Sequence, residues 1–304
     1  MTGAGRVVLT GATGFVGAHL RRRLRVHTPV IALTRDRALE PEPNITWMKM
    51  DLADWRTISW PADADTLIYA AQSREYRDFP GGSGDMIDVN VRGLIALLAA
   101  ATRSGLRRVI YLSSGNVYAP FDTLVDEDAP VQPGSFYAHT KRMAELVVEG
   151  CASTVECTVL RLFTVYGPGQ REMLVPRLFD RIARGEPISV GPTGGLTLSP
   201  IYVDDVCALV ERLIEPVPER GYRTFNVGGA EAVTIQALAT AVGNVLGKQP
   251  MFEIRPEGAA AGWAANTQRV RAAVGWAPTI GLHEGLTRMA ATQPLASVSS
   301  LSRA

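Results

Sequence analysis

An α/β chain with a doubly wound parallel sheet and a smaller, discontinuous C-terminal lobe is what the 304-residue sequence predicts. Three observations carry that expectation. Short β-branched runs alternate with longer helical stretches from Arg6 to about residue 162. Most of those runs are continuously apolar, as strands covered by helices on both faces must be. After residue 163 the regularity breaks into short, proline-punctuated pieces.

The strands expected in order are Val7 to Thr10, Val30 to Thr34, Ile45 to Met50, Thr66 to Ala71, Arg108 to Ser113 and Val155 to Leu162. Between them, apolar residues recur at helical spacing, as in Leu94, Leu97, Leu98 and Ala101. Pro168, Pro176, Pro187, Pro192, Pro200, Pro216 and Pro218 then interrupt the chain, the setting in which pocket-forming loops occur. One more strand, Thr224 to Val227, reads as a return to the main sheet and precedes a helix from about Thr234 to Leu246. The expected division is residues 1–163 for the sheet domain, rejoined by about 200–230, and 164–291 mainly for the second lobe. Residues 292–304 are small and polar and read as a frayed tail.

Composition narrows the function. The chain is 46% hydrophobic and 20% charged, which excludes a disordered protein, and 31 Lys plus Arg against 30 Asp plus Glu leave a net charge of +1. No sequence-wide electrostatic case exists for nucleic acid or an anionic membrane. Cys151, Cys157 and Cys207 are odd in number and scattered, and His19, His27, His139 and His283 are dispersed, so no metal site is expected. With a strand starting by residue six and no apolar run near the roughly 18 residues needed to span a bilayer, a soluble, cytoplasmic chain is expected.

The first strand runs into Gly11, Gly14 and Gly17, spaced GxxGxxG, and then into a helix starting near Phe15. Glycines there permit a tight turn and let helix N-terminal N–H groups approach a pyrophosphate, so the sheet domain is expected to bind a dinucleotide. The second strand ends Leu33, Thr34, Arg35, Asp36. With Thr34 in the acidic position and Arg35 following, a 2′-phosphate is favoured and NADP is expected over NAD; alternatively Arg35 is solvated and Asp36 serves the ribose of NAD. Asp51 and Leu52 are placed to meet the adenine, or Asp51 caps a helix. One of Arg21, Arg22, Arg23 and Arg25 could also reach a 2′-phosphate, although the run reads as a solvated helix face. Trp47, Trp55, Trp60, Trp263 and Trp276 read as packing residues.

Tyr137 and Lys141 stand four apart at the start of a helix, on one face. An ammonium beside a phenol favours the phenolate, which a general acid/base on an alcohol or ketone requires. Ser114, at the carboxyl end of the fifth strand, can hydrogen-bond a substrate oxygen, or with Ser113 it merely caps a turn.

GxxGxxG at Gly11 to Gly17, Asp51-Leu52, Asn90 in Asp-Val-Asn-Val-Arg-Gly, Ser-Ser-Gly-Asn-Val-Tyr at 113–118, Tyr137 with Lys141, and Leu-Arg-Leu-Phe-Thr-Val-Tyr-Gly-Pro-Gly-Gln at 160–170 follow in order. Together they resemble the extended short-chain dehydrogenase/reductase family, the group of nucleotide-sugar epimerases, dehydratases and reductases on a Rossmann fold. The likeness runs from about residue 6 to 290, through Val203-Asp204-Asp205-Val206, Phe225-Asn226-Val227-Gly228 and Gly275-Trp276-Ala277-Pro278. It implies Ser114, Tyr137 and Lys141 as the catalytic triad, with Lys141 also on the nicotinamide ribose. Cofactor contacts are then expected from Gly11, Thr13, Gly14, Phe15, Val16, Gly17, Arg35, Asp51, Leu52, Ala70, Ala71 and Asn90, although Asn90 also reads as a satisfied buried amide. Substrate contacts are expected from Ser114, Asn116, Thr164 and Arg255, although Arg255 also reads as neutralising Glu253 or Glu257 on the surface. Arg161 and Asp205 read as structural.

Departures refine the expectation. Dehydratases of the group carry Asp-Glu after the catalytic hydroxyl, and Gly115-Asn116 stands here, so elimination of water is not expected. Leu198-Ser199-Pro200 replaces an Arg-Asp-Phe run whose Arg contacts the sugar-nucleotide diphosphate, a contact Leu cannot make and Arg171 or Arg177 could replace. The leading expectation is an NADP-dependent reductase of the 4-keto group of a nucleotide-linked deoxysugar. The alternative is a nucleotide-sugar 4-epimerase with retained NAD, ahead of a non-catalytic dinucleotide-binding protein. A homodimer through the helices after strands four and five is expected.

Overall fold

Six parallel strands are laid down first: β1 (Arg6–Thr10), β2 (Val30–Thr34), β3 (Ile45–Lys49), β4 (Ala64–Tyr69), β5 (Arg108–Ser114) and β6 (Glu156–Leu162). The chain then leaves the sheet for four short strands, β7 (Val165–Tyr166), β8 (Ile188–Val190), β9 (Thr197–Leu198) and β10 (Ile201–Tyr202). It returns as β11 (Gly221–Val227), completing a seven-stranded sheet in the order β11-β6-β5-β4-β1-β2-β3. Three further short strands, β12 (Val233–Thr234), β13 (Phe252–Ile254) and β14 (Gly262–Trp263), lie outside it. This computed structural model describes residues 6–35, 39–121, 123–215, 221–256 and 262–292; Asp36, Pro216, Pro218, Glu257 and all but Thr292 of the expected tail lie outside the described residues.

The helices are α1 (Phe15–Leu24), α2 (Ser83–Ile87), α3 (Gly93–Arg103), α4 (Phe136–Glu149), α5 (Leu174–Arg184), α6 (Val203–Ile214), α7 (Ile235–Leu246), α8 (Gln268–Val274) and α9 (Leu282–Ala290). Successive strand residues face opposite sides of the sheet, so each apolar run feeds two cores. Val7, Leu9, Ile68 and Leu160 pack with Leu20 of α1 and Val206 and Val210 of α6. Val8, Leu67, Val109 and Val159 pack with Leu94 and Leu98 of α3 and Ala144 and Val148 of α4. The edge strand β3, by contrast, has no fully buried residue. A third core joins α5, α7 and α9 through Phe179, Ile182, Leu238, Val242 and Leu286. The helix after β11 therefore packs in the second lobe, while β11 itself pairs with β6 over its whole length.

One strand end moves for a stated reason. Expected to reach Ala71, β4 stops at Tyr69, because the Thr10 hydroxyl oxygen accepts the N–H groups of both Ala70 and Ala71, at 3.0 Å each, and turns the chain out of the sheet.

Ser113, Arg161 and Asn226 sit side by side in register across β5, β6 and β11, three polar residues in otherwise apolar strands. Ser113 and Arg161 share a partner in Glu145 of α4, which is wholly buried. Ser113 Oγ donates to it at 2.6 Å and Arg161 donates twice, from Nε at 3.0 Å and Nη2 at 2.8 Å. Arg161 Nη1 also donates to the Tyr118 hydroxyl at 2.6 Å, which donates to Asn226 Oδ1 at 3.0 Å. Arg161 is structural in this sense. Asp205 is too, its carboxylate accepting from the Thr279 and Ile280 N–H groups at 3.0 Å each. Arg161→Leu removes the buried cation from Glu145, leaving only the half-exposed Arg142 at 3.0 Å, and is expected to cost about 3 kcal/mol in urea unfolding. Adding Glu145→Leu is expected to restore much of the loss; strictly additive costs would contradict the pairing.

Candidate active site

β1 and β4 are neighbours, yet the chain continues from them toward opposite edges of the sheet, so a crevice opens at their carboxyl ends. A cavity of about 660 Å³ fills it. Gly11, Thr13, Gly14, Phe15, Val16 and Gly17 form one wall. Gly14 caps α1 without any side-chain hydrogen bond, and the first turn holds no acidic residue, so its N–H groups remain available to an anion. Gly17 is required by close packing, since a Cβ there would lie 2.0 Å from the Gly11 carbonyl oxygen. A positive helix end of this kind, open to the cavity, fits a dinucleotide pyrophosphate.

Arg35, Asp51, Leu52, Ala70 and Ala71 also line the cavity. Arg35 is exposed, and Asp51 accepts from the Ala53 N–H at 3.0 Å, closing a turn rather than capping a helix, since the helical turn that follows is capped at Asp54. The arginine run of α1 is engaged elsewhere: Arg21 with Glu42 at 3.2 Å, Arg23 with Glu211 at 2.6 Å, Arg25 with Glu42 at 4.0 Å, and Arg22 with the Ala18 carbonyl at 3.1 Å. Cys157 and Cys207 are buried with thiols pushed up to about 12, and among the described residues no cluster could hold a metal.

At the reacting end the cavity meets Ser114, Asn116, Tyr137 and Thr164. Ser114 ends β5 and accepts from the Asn116 N–H at 3.2 Å, so the turn-capping role and the cavity position coexist. Tyr137 stands in the first turn of α4, which Ser135 caps by accepting from the Ala138 N–H at 3.2 Å. Thr164 holds the left-handed region at φ 45°, a strained conformation for a β-branched residue and one that functional sites retain.

Lys141 departs from expectation. Its ammonium donates to the Leu112 carbonyl at 2.7 Å, lies over the Tyr111 ring at 5.0 Å, and is 6.0 Å from the Tyr137 ring centre. Burial pulls it down to about 8, opposed by Glu145. The Tyr137 hydroxyl is held above the ordinary tyrosine range by burial, opposed by a hydrogen bond with Ser114. The shared helix face is real, but burial dominates both groups.

Three expected contact residues do not line the cavity. Lys141 sits beneath it. Asn90 lies in a π-helical turn, Asp88–Arg92, and is fully committed: Oδ1 accepts from the Ser73 N–H and Nδ2 donates to Thr140 Oγ1, both at 2.9 Å. Its reading as a satisfied buried amide holds. Arg255 is exposed beyond β13, where its N–H joins the Val190 carbonyl, and it makes no ion pair among the described residues.

Other residues were not legible. Gln72 accepts from the Tyr137 hydroxyl at 3.1 Å, and the Tyr76 ring lies 5.4 Å from that of Tyr137. Arg74 lines the cavity too, as does Arg171, which the sequence offers in place of the missing diphosphate arginine; neither has a carboxylate partner among the described residues. Trp263, expected only to pack, lines it as well. Glu145 had a signal, since 137, 141 and 145 fall on one helical stripe; Gln72 had none beyond its place at a strand's carboxyl end.

The model of the NAD dependent epimerase/dehydratase family matches residues 7–228, and the chain belongs to that family. It is an enzyme family, and the fold is that of extended short-chain dehydrogenases/reductases. The chain is 28% identical to the low-salt glycan biosynthesis protein Agl12 of Haloferax volcanii, over 92% of this chain and 96% of that one. It is also 28% identical to UDP-glucose 4-epimerase of Mycolicibacterium smegmatis, over 93% and 96%. Among solved structures, MoeE5 in complex with UDP-glucuronic acid and NAD superposes with a TM-score of 0.80 at 29% identity, covering 95% of this chain and 97% of that one. MoeE5 has also been solved with UDP-glucose and NAD.

Folding draws Lys141 from an ordinary 10.5 to about 8, so between those values the unfolded chain binds more protons and stability rises with pH. Relative to Lys141→Met, the unsubstituted protein is expected to gain up to about 3 kcal/mol in urea unfolding between about pH 7 and pH 10. A gap that stays constant over that range would contradict the burial of the amine.

Proposed function

We propose that the protein is a nucleotide-sugar 4-epimerase that retains NAD and acts on a UDP-linked hexose or hexuronic acid. The observation that carries this reading is the phenol of Tyr137, hydrogen-bonded beside Ser114, with Gly115 and Asn116 rather than an acidic pair following that serine. One such group suffices to oxidise and re-reduce one carbinol; eliminating water needs more. Gly115 excludes the dehydratase pair sterically, since a Cβ there would lie 2.7 Å from the Phe163 ring.

The glycine turn, the α1 N-terminus and the Asp51-Leu52 side of the cavity would hold NAD, which would supply the hydride acceptor and donor for the sugar carbinol. Ser114 holds the O4 oxygen by its hydroxyl. Tyr137 takes the O4 proton as the alcohol becomes a ketone and returns it when the ketone is reduced on its other face. The buried Lys141 cation favours the phenolate that begins this cycle. Arg74 and Arg171, which pair with no carboxylate among the described residues, supply positive charge toward the diphosphate or a sugar carboxylate. NAD and these substrates are supported by MoeE5, crystallised with both sugar nucleotides.

A second reading, an NADP-dependent 4-keto reductase, is favoured by Arg35, exposed at the cavity where a 2′-phosphate would meet it. A homodimer is proposed through α3 and α4, whose outer faces expose Ile95, Met143 and Leu146.

The isolated protein is expected to release NAD on denaturation and to isomerise UDP-glucose or UDP-glucuronic acid at C4 without added cofactor. Tyr137→Phe is expected to cut turnover about 1,000-fold while sparing bound nucleotide. A protein that carries no nucleotide and turns over only with added NADPH would overturn the epimerase in favour of the reductase.

A further inference from the structure

The loop leaving β4 presents one exposed amide to the reacting phenol, and its backbone is fixed on both sides of that residue. Before Gln72, the N–H groups of Ala70 and Ala71 are both held by Thr10 Oγ1 at 3.0 Å. After it, the Ser73 N–H is held by Asn90 Oδ1 at 2.9 Å, and the Ser73 hydroxyl donates to Asp85. Asn90 also reaches the phenol's own helix, donating to Thr140 Oγ1 at 2.9 Å, and Thr140 Oγ1 donates to the Tyr137 carbonyl at 2.8 Å. One buried amide thus ties the Gln72 loop to the first turn of α4. Between these anchors the Gln72 side chain lies in the cavity, with Oε1 accepting from the Tyr137 hydroxyl at 3.1 Å.

We propose that Gln72 is a catalytic residue: its amide partners the Tyr137 oxygen in both protonation states, accepting from the hydroxyl and, when turned over, donating N–H to the phenolate. A carboxamide is suited to a group that must lose and regain a proton within one turnover, because it offers an acceptor and a donor at nearly the same place. A carboxylate there can only accept and repels the phenolate; a thioether does neither usefully. The inference rests on the epimerase reading only in taking Tyr137 as the acid–base group.

Other groups also face Tyr137 and set its titration. Ser114 and Tyr111 come from β5, Tyr76 from the Gln72 loop, and Lys141 from α4, while Arg74, Arg171 and Asp85 line the cavity further out. None of these changes in the variants that follow.

The test compares Gln72→Met and Gln72→Glu with the unsubstituted, nucleotide-loaded protein, each checked for native melting behaviour. Steady-state kinetics with UDP-glucose and UDP-glucuronic acid are run across pH, alongside an ultraviolet difference titration of tyrosinate. Gln72→Met is expected to lower kcat about 100-fold with KM within about twofold. Gln72→Glu is expected to move the acid limb of kcat up by about one pH unit, with activity recovering as pH rises. The titration step that shifts in Gln72→Glu is expected to vanish when Tyr137→Phe is added. Unchanged kcat and pH profile, a change in KM alone, or a titration shift that survives Tyr137→Phe would each overturn the proposal. If the unsubstituted protein converts neither sugar nucleotide, the epimerase reading fails separately; the titration still decides for Gln72, and no shift in Gln72→Glu overturns it.

Discussion

The ion pair between Glu145 and Arg161 is closed off from water, and the proposed meeting of Tyr137 with Ser114 depends on it. Removing a carboxylate and a guanidinium from solvent costs several kcal/mol apiece, repaid only when geometry and remaining hydrogen bonds are complete. Here they are complete: Arg161 donates twice to the carboxylate, Ser113 adds a third bond, and Tyr118 takes the remaining guanidinium arm. The pair fixes α4 against β5 and β6 in one register. Ser113 is followed directly by Ser114, and Glu145 lies one helical turn from Lys141 and two from Tyr137. Where the ion pair holds the helix, the phenol and the serine hydroxyl meet.

A second polar node acts from the other side. Asn90 sits in a wide π-helical turn and divides its amide between the loop after β4 and the helix bearing Tyr137. The two nodes are buried while the phenol they position faces a cavity. Lys141 stands between these zones. Its burial disfavours the charge that its role requires, and the Leu112 carbonyl and the Tyr111 ring face offset part of that cost. The site is thus destabilised at its centre and braced at its edges, as expected where geometry serves chemistry.

Much of the fold was legible in the sequence because a doubly covered parallel sheet needs continuous apolar runs, and these stand out between helical stretches. Strand ends were less legible: Thr10 captures the two N–H groups that follow β4, a side-chain effect no periodicity records. The second lobe was legible only as irregular, since two-residue strands such as β7 and β9 carry no period. In the site, the glycine turn, Ser114 and Tyr137 could be read because spacing alone puts them at strand ends and on one helix face. Gln72 could not, because its meeting with Tyr137 depends on two distant segments brought together through Asn90. Arg255 misled for a related reason. A charged side chain just past a short strand reads the same whether it points to a cavity or to solvent.

The measurement that bears most directly on this account is the turnover of Glu145→Gln set against its nucleotide content and melting temperature. Gln keeps the shape of the side chain but removes the charge that Arg161 and Ser113 grip. The account predicts that kcat falls at least tenfold in protein that is still folded and still loaded with nucleotide, because Tyr137 and Ser114 no longer share one position. Unaltered kcat in a folded, loaded variant would contradict it, whatever happened to the melting temperature.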